Sequence, residues 1–302
     1  MSEQVTPDWI AVDWGTTHLR VWAMQGGTQL AHAQSDDGMA KLERDQFEGA
    51  LLKLIEGWLG AGTMPVIACG MVGARQGWVE APYTAVPAKP DHSQHALPVC
   101  DDLRLHVRVI PGLKQASPAD VMRGEETQIA GFLALNSGWD GVICLPGTHT
   151  KWAHVSAGEV VSFQTYMTGE QFELLSTSSV LRHSVDTDGW DKPAFEEALA
   201  DSLSRPERIS ANLFNLRACD LLNGQSKEVA RARLSGLLIG AELAAARPFW
   251  LGQQVAVVGA NNLSQIYADA LAAQGVPATV ADGARMALAG LQAAYRLVKE
   301  TA

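Results

Sequence analysis

Two short turns, Asp13-Trp14-Gly15-Thr16-Thr17 and Pro146-Gly147-Thr148-His149-Thr150, constrain this chain more than anything else in it. Each ends an apolar run, Trp9 to Asp13 and Asp140 to Leu145, and each leads at once into another, Leu19 to Met24 and Lys151 to Ser156. A glycine between two such runs predicts a tight strand–turn–strand and lets backbone N–H groups come close to an oxyanion. The turns stand ~130 residues apart, about the size of one domain. A duplicated α/β domain is the simplest account, with a boundary near Asn136 to Gly138 and halves of 1–137 and 138–302.

The remaining periodicity fills in both halves. Thr28 to Gln34 reads as a third strand after the Gly26-Gly27 turn, Phe47 to Leu59 as a helix, and Pro65 to Cys69 and Val107 to Ile110 as strands. Val72 to His106, rich in Gly, Pro and His, reads as a long loop region, and loops of that length are usually functional. Ser117-Pro118-Ala119-Asp120 is expected to open a helix running to Leu135. Val160 to Tyr166 is a further strand. The second half then turns helical, with Gln171 to Arg182, Lys192 to Leu203, Ile209 to Leu222 and Lys227 to Arg247. Strand Val255 to Val258, helix Leu263 to Ala273, strand Ala278 to Ala281 and helix Ala284 to Lys299 close the chain.

Charge narrows the partners. The net charge of −10 argues against a duplex-binding face. Met1 to Asp8 lacks the apolar core of a signal peptide, and the run Leu237 to Leu251 is interrupted by Glu242, Arg247 and Pro248, so no membrane span is expected. Cys69, Cys100, Cys144 and Cys219 show no CxxC spacing and read as thiols in a reducing cytoplasm.

Several segments carry candidate chemistry. In the first turn, Gly15, Thr16 and Thr17 supply donors, and Asp13 is placed to hold a hydrated Mg2+ beside phosphates; the plain alternative is a hairpin with a polar tip. In the second, Gly147, Thr148 and Lys151 repeat that logic, with a solvated lysine as the alternative. Asp120 is either a helix cap or a general base for a substrate hydroxyl. Arg123, Glu125, Glu126 and Gln128 crowd the turns after it. Arg75, Gln76 and Trp78, in a glycine-rich loop after a strand, suit a carboxylate and a sugar face, or are incidental exposed side chains. Tyr166-Met167-Thr168-Gly169-Glu170 is similar in kind. Gly259 ends a strand before a helix, but the later glycines of a dinucleotide fingerprint are missing, and no Gly-Lys pair exists for a Walker A loop.

Taken in order, these pieces resemble the superfamily of sugar kinases, actin and Hsp70-type ATPases. Asp13 to Thr17 is similar to its first phosphate loop, Gly147 to Thr150 to its second, Val257 to Ala260 to its adenosine motif, and Gly283 to Ala294 to its closing connector helix. Gly70 to Trp78 with Glu80 to Tyr83, Asp120 to Gln128, Leu145 to Trp152 and Gln164 to Phe172 resemble the 2-dehydro-3-deoxygalactonokinase family. That resemblance implies two ribonuclease H-like domains with a nucleotide cleft between them. It also implies ATP, Mg2+ and transfer to the 6-hydroxyl of 2-dehydro-3-deoxy-D-galactonate. Under it Asp120 is the base and Asp13 and Glu125 organise the metal. Thr16, Thr17, Gly147, Thr148 and Lys151 serve the phosphates, and Gly259 the adenosine. Arg75, Gln76, Trp78, Met167 and Thr168 serve the sugar acid, and a homodimer is compatible. A kinase for another sugar acid, an ATPase without a small acceptor, and a sugar-responsive regulator are the competing readings.

Overall fold

A computed structural model describes residues 5–90 and 94–301. The start of the polar N-terminal stretch and residues 91–93 of the long loop region lie outside the described residues. Two compact units divide the chain. One holds the chain up to Asp140, Val155–Ser162 and the chain from Asp282; the other holds Gly141–His154 and Phe163–Ala281. This differs from a single cut at 137/138 in two respects: the chain passes between units more than once, and the last helix goes with the first unit.

The first unit is built on a five-stranded sheet of β1 (Trp9–Trp14), β2 (Leu19–Gln25), β3 (Thr28–Ser35), β4 (Met64–Gly70) and β6 (Leu105–Val109), in the order β3-β2-β1-β4-β6. The first three form an antiparallel meander, and β4 and β6 run parallel to β1. Every residue of β1 is buried, because helices cover both faces and alternate side chains go to opposite sides. Ile10, Val12 and Trp14 pack with Phe47, Leu51 and Ile55 of α1 (Phe47–Ile55), which a 3-10 turn extends to Trp58. Each such fully buried apolar side chain contributes roughly 1.5–3 kcal/mol. Trp9 and Ala11 face the other way, against Leu291, Ala294 and Tyr295 of the terminal helix, with the Trp9 and Tyr295 rings stacked at 4.3 Å.

A small sheet corrects one expectation. β5 (Tyr83–Ala85) pairs parallel with β7 (Gly112–Ala116), which turns through Ser117-Pro118 into β8 (Ala119–Met122). Asp120 therefore lies on a strand, and the helix α2 (Glu125–Leu135) starts five residues later. Ser-Pro-x-Asp satisfies a two-residue hairpin as well as a helix start. What decides is long-range: Leu113 and Met122 face each other and are both buried. Gly124, at φ +105°, then interrupts any helix that would pass through it.

The second unit repeats the strand order. β9 (Gly141–Leu145), β10 (Thr150–Ser156), β11 (Glu159–Tyr166), β12 (Val255–Gly259) and β13 (Ala278–Asp282) are arranged β11-β10-β9-β12-β13, with β12 parallel to β9. It is accompanied by the α-helices α3 (Thr168–Thr177), α4 (Arg182–Val185), α5 (Lys192–Ser204), α6 (Ile209–Asn223), α7 (Lys227–Ala245), α8 (Arg247–Trp250) and α9 (Asn261–Ala272). Asp191 caps α5 by accepting the Ala194 N–H at 2.8 Å. The central helix α7 meets α5 through Gly236 and Gly240, where an added Cβ would lie 2.5 Å from the Phe195 and Leu199 carbonyl oxygens.

The terminal helix α10 (Gly283–Thr301) crosses α2 with backbone against backbone. A Cβ on Gly131 would stand 1.9 Å from Met286 O, and one on Gly290 would stand 2.0 Å from Thr127 O. The two helices can meet this closely only because both positions lack side chains. Gly131→Ala and Gly290→Ala are each expected to destabilise the fold by about 1–3 kcal/mol or more, the usual cost of overpacking. Denaturant unfolding measures this; an unchanged midpoint would mean the crossing is looser than described.

Candidate active site

In the first unit the site grows from the register of β1. Antiparallel pairing sets Asp13 opposite Arg20, and parallel pairing sets it beside Cys69. Arg20 Nη2 donates to Asp13 Oδ2 in a short ion pair, and the Cys69 thiol faces Oδ1 at 3.8 Å. Asp13 is buried at the end of a buried strand, with a cation paired to it. Beyond it, Gly15 N–H donates to His18 O at 2.9 Å, closing the turn. The turn's carbonyls are tied inward: Met39 N–H donates to Gly15 O and Ala40 N–H to Thr16 O, both at 3.0 Å. What the turn retains for a ligand is its N–H edge and the exposed Thr16 and Thr17 side chains.

Two further glycines bring the α2 entrance to this point. Gly70, at φ +89°, ends β4 so close to β1 that a Cβ would lie 2.6 Å from Trp14 O. Gly124 follows β8, and its Cβ would lie 3.4 Å from the Gly70 Cα. Past Gly124 stand two carboxyls, of which sequence reading gave a role only to Glu125. Glu125 is half-buried and accepts the Arg123 N–H at 3.1 Å. Glu126 is 1 % exposed and accepts the Gly124 N–H at 2.7 Å and the Thr127 hydroxyl at 3.1 Å. Burial, reinforced by the neighbouring Glu125 charge, pushes the Glu126 carboxyl up to about 8. Burial also raises the Cys69 thiol, with Asp13 and Glu126 adding to it. Sequence reading passed over Glu126 as a buried group, although its place between Thr127 and Gly124 on an otherwise apolar helix face is a signal.

The glycine-rich loop after β4 is partly core. Trp78 is 8 % exposed and packs with Trp14 and Phe47, ring centroids 6.3 Å and 6.4 Å away, so it offers no open face to a sugar. Arg75 and Gln76 are exposed, and Arg75 pairs with Glu80 at 3.4 Å. Arg44 ties the loop itself, donating to Arg75 O at 2.6 Å and to Gly77 O at 3.2 Å, and the loop's exit is held by Arg123, which sequence reading noted without a role. Its guanidinium lies 4.2 Å over the Tyr83 ring and donates to Ala81 O at 2.8 Å. Asp120, on β8, is half-exposed, and its Oδ1 accepts the Val121 N–H at 2.8 Å.

In the second unit the equivalent turn leaves β9, the strand that holds the place of β1. Thr148 and His149 are exposed, and the carbonyls are again tied to the protein. Glu170 N–H donates to Thr148 O at 2.9 Å, and Gly169 sits so near that a Cβ would lie 2.2 Å from Gly147 O. His149 Nε2 and Glu170 Oε2 are 2.6 Å apart. Lys151 is buried, its ammonium donating to His149 O at 3.5 Å. Thr168 is buried and Met167 half-exposed at the start of α3. Gly259 closes β12 under this turn, where a Cβ would be 2.9 Å from the Ser264 hydroxyl and 3.3 Å from Pro146 O.

Among the described residues no group of three or more His, Cys, Asp or Glu side chains is placed to chelate a metal. Mg2+ in nucleotide sites takes one or two carboxylates and completes its shell with phosphate oxygens and water. The Asp13 carboxyl, with Glu125 on the adjoining turn, fits that donor set.

Residues 13–294 match the family described as 2-keto-3-deoxy-galactonokinase. The chain is 37 % identical to a Rhizobium meliloti (strain 1021) protein assigned as 2-dehydro-3-deoxygalactonokinase DgoK1, over 95 % of this chain and 96 % of that one. It is 34 % identical to the Escherichia coli (strain K12) 2-dehydro-3-deoxygalactonokinase, over 95 % and 97 %. A crystal structure of a Sinorhizobium meliloti protein assigned to the same activity superposes with a TM-score of 0.88, at 35 % identity, covering 96 % and 99 %. The activator of 2-hydroxyisocaproyl-CoA dehydratase from Clostridium difficile, solved with ADPNP, shares the fold alone, at TM-score 0.53 and 12 % identity. The fold is that of the actin-like ATPases.

Glu126 gives the first unit a measurable pH dependence. Between its ordinary 4.5 and about 8 the folded chain holds a proton that the unfolded chain has released. Stability therefore falls as pH rises through that window, by at most about 1.4 kcal/mol per pH unit from this group. Glu126→Gln is expected to remove that slope and to be more stable than the parent near pH 8. Denaturant midpoints from pH 5 to 9 check it; parallel curves for the two proteins would refute the assignment.

Proposed function

The chain belongs to the 2-keto-3-deoxy-galactonokinase family, and from that premise we propose that it transfers the γ-phosphate of ATP to the 6-hydroxyl of 2-dehydro-3-deoxy-D-galactonate in galactonate catabolism. One observation carries the reading. Two sheets of the same strand order each place a Gly-Thr turn between their first two strands, with its carbonyls bonded inward. Phosphoryl transfer asks little covalent chemistry of a protein; it asks for positioned donors and an aligned acceptor.

In this proposal Gly15, Thr16 and Thr17 of the first unit and Gly147 and Thr148 of the second serve the phosphate chain. Lys151 supports the second turn from below, and Gly259 lies by the adenosine. Asp13, paired with Arg20, would hold Mg2+, with Glu125 as the second carboxylate. The bound ion neutralises charge on the phosphate oxygens. Asp120 takes the proton of the acceptor hydroxyl as that oxygen bonds to the γ-phosphorus and ADP leaves. Arg75 meets the acceptor carboxylate, and Gln76, Met167 and Thr168 border it. The burial of Trp78 supports a role in shaping the loop, not in stacking on the sugar.

The two turn glycines are not crowded by the fold. A Cβ on Gly147 meets nothing within 4 Å, and one on Gly15 only His18 O at an ordinary 3.5 Å. The fold itself does not require glycine at either place. Gly15→Ala and Gly147→Ala are therefore expected to fold with unchanged melting temperature yet lose about 100-fold in kcat/KM for ATP, the cost of a ~1 Å misplacement. Full activity in both variants would remove the phosphates from these turns.

Asp120→Asn is expected to bind ATP as the parent does while kcat for the sugar acid falls about 10²–10⁴-fold. Calorimetric ATP binding beside an ADP-release assay separates the two quantities. Turnover within a few-fold of the parent would place the base elsewhere. The same assay over a panel of sugar acids distinguishes a kinase of another acceptor, and steady ATP hydrolysis without any acceptor would favour a plain ATPase.

A further inference from the structure

The second unit carries a buried carboxyl for which the reaction as described has no use. Glu242, on α7, is 3 % exposed. Trp152 Nε1–H donates to its Oε1 at 2.8 Å, and the Tyr267 hydroxyl donates to its Oε2 at 2.8 Å. The Thr168 hydroxyl bonds to it as well. Tyr267 and Thr150 are themselves joined, hydroxyl to hydroxyl, at 3.2 Å.

The sequence positions of these donors matter more than their number. Thr150 and Trp152 are the first residues of β10, directly after the Gly147 turn. Thr168 opens α3, whose next two residues clamp that turn through Gly169 against Gly147 O and Glu170 N–H on Thr148 O. Tyr267 lies on α9, the helix that follows Gly259. The exit of the turn, its clamp and the helix beside the adenosine motif thus converge on one side chain. Its polarity is fixed, because an indole N–H can only donate. With Tyr267 donating to Glu242, its oxygen is left to accept from Thr150, so the hydrogens of the chain all run toward Glu242. An isolated buried carboxylate is costly, whereas one that accepts from several donors is stable and holds each of them in a single geometry.

We propose that Glu242 is a positioning residue for phosphoryl transfer: it acts as the common acceptor that fixes the Gly147–Thr150 turn against α3 and α9 at the height the nucleotide phosphates require. This rests on the reading that the turn takes those phosphates. Glu242→Gln keeps the shape but replaces one acceptor oxygen with a donor. The amide oxygen can still accept from the Trp152 indole, but its NH2 then faces the Tyr267 oxygen, which must accept instead of donate and turn its own hydrogen toward Thr150, reversing that link of the chain. Tyr267→Phe removes one link of the same chain without changing the buried volume appreciably.

The test uses the full chain and four readings: melting temperature, kcat/KM for ATP at saturating sugar acid, ATP affinity and adenosine affinity. A positioning role predicts that folded Glu242→Gln loses at least tenfold in kcat/KM for ATP and weakens ATP binding, while adenosine binds as in the parent. A loss under tenfold, or an equal loss for ATP and adenosine, overturns it. If Glu242→Gln does not fold, Tyr267→Phe is judged by the same two outcomes. Parent turnover is measured first. A parent that does not phosphorylate the sugar acid refutes the reading of the turn, whereas an active parent with undiminished variants refutes only the role of Glu242.

Discussion

The pairing of β1 between β2 and β4 is the constraint from which the first unit's chemistry follows. An antiparallel neighbour on one side and a parallel one on the other leave Asp13 no choice of partners: Arg20 stands across from it and Cys69 beside it. A one-residue slip of either pairing would turn the side chain to the opposite face of the sheet. The strand is hydrophobic on both faces, so the register is set by the whole core and not by the ion pair. The pair in turn makes the buried charge tolerable, since a buried carboxylate that loses its partner typically costs about 3–5 kcal/mol.

The two units solve the same problem with different electrostatics. Asp13 is compensated by a guanidinium. Glu242 is compensated by neutral donors, and its ordinary range is shifted upward by burial while its hydrogen bonds pull it back. The first arrangement pairs a carboxyl with a cation at the end of a strand. The second spends its hydrogen-bonding capacity on holding surrounding segments still. Glu126, with no cation bonded to it, is the exception and titrates near neutrality.

Glycine separates architecture from function along this chain. Gly70, Gly131, Gly169 and Gly290 are demanded by neighbours that a Cβ would strike, and Gly38 likewise, where it would lie 2.2 Å from the Thr17 carbonyl carbon. Gly15 and Gly147 are not demanded by any such neighbour. The sequence marked all of them alike. It led to the two turns because they repeat, not because glycine there is special to the fold. The same local blindness explains the misplaced helix start at Asp120, where Ser-Pro serves a hairpin as readily as a cap, and the reading of Trp78 as a ligand platform. Whether an indole after a glycine-rich turn faces outward depends on Trp14 and Phe47, which are remote in sequence.

By itself the sequence determined the alternation of strands and helices, the two equivalent turns, and the residue types from which a phosphate site is made, because these are written in short-range periodicity and in the conformational freedom of glycine. Tertiary structure alone decided that the last helix joins the first unit, that Glu126 and not Glu125 is the sealed carboxyl, that Arg123 holds the exit of the loop beside it, and that Glu242 gathers Thr150, Trp152, Thr168 and Tyr267. Those facts concern which side chains lose water and what they meet when they do. Burial is a property of contacts between distant segments, and no local pattern records it.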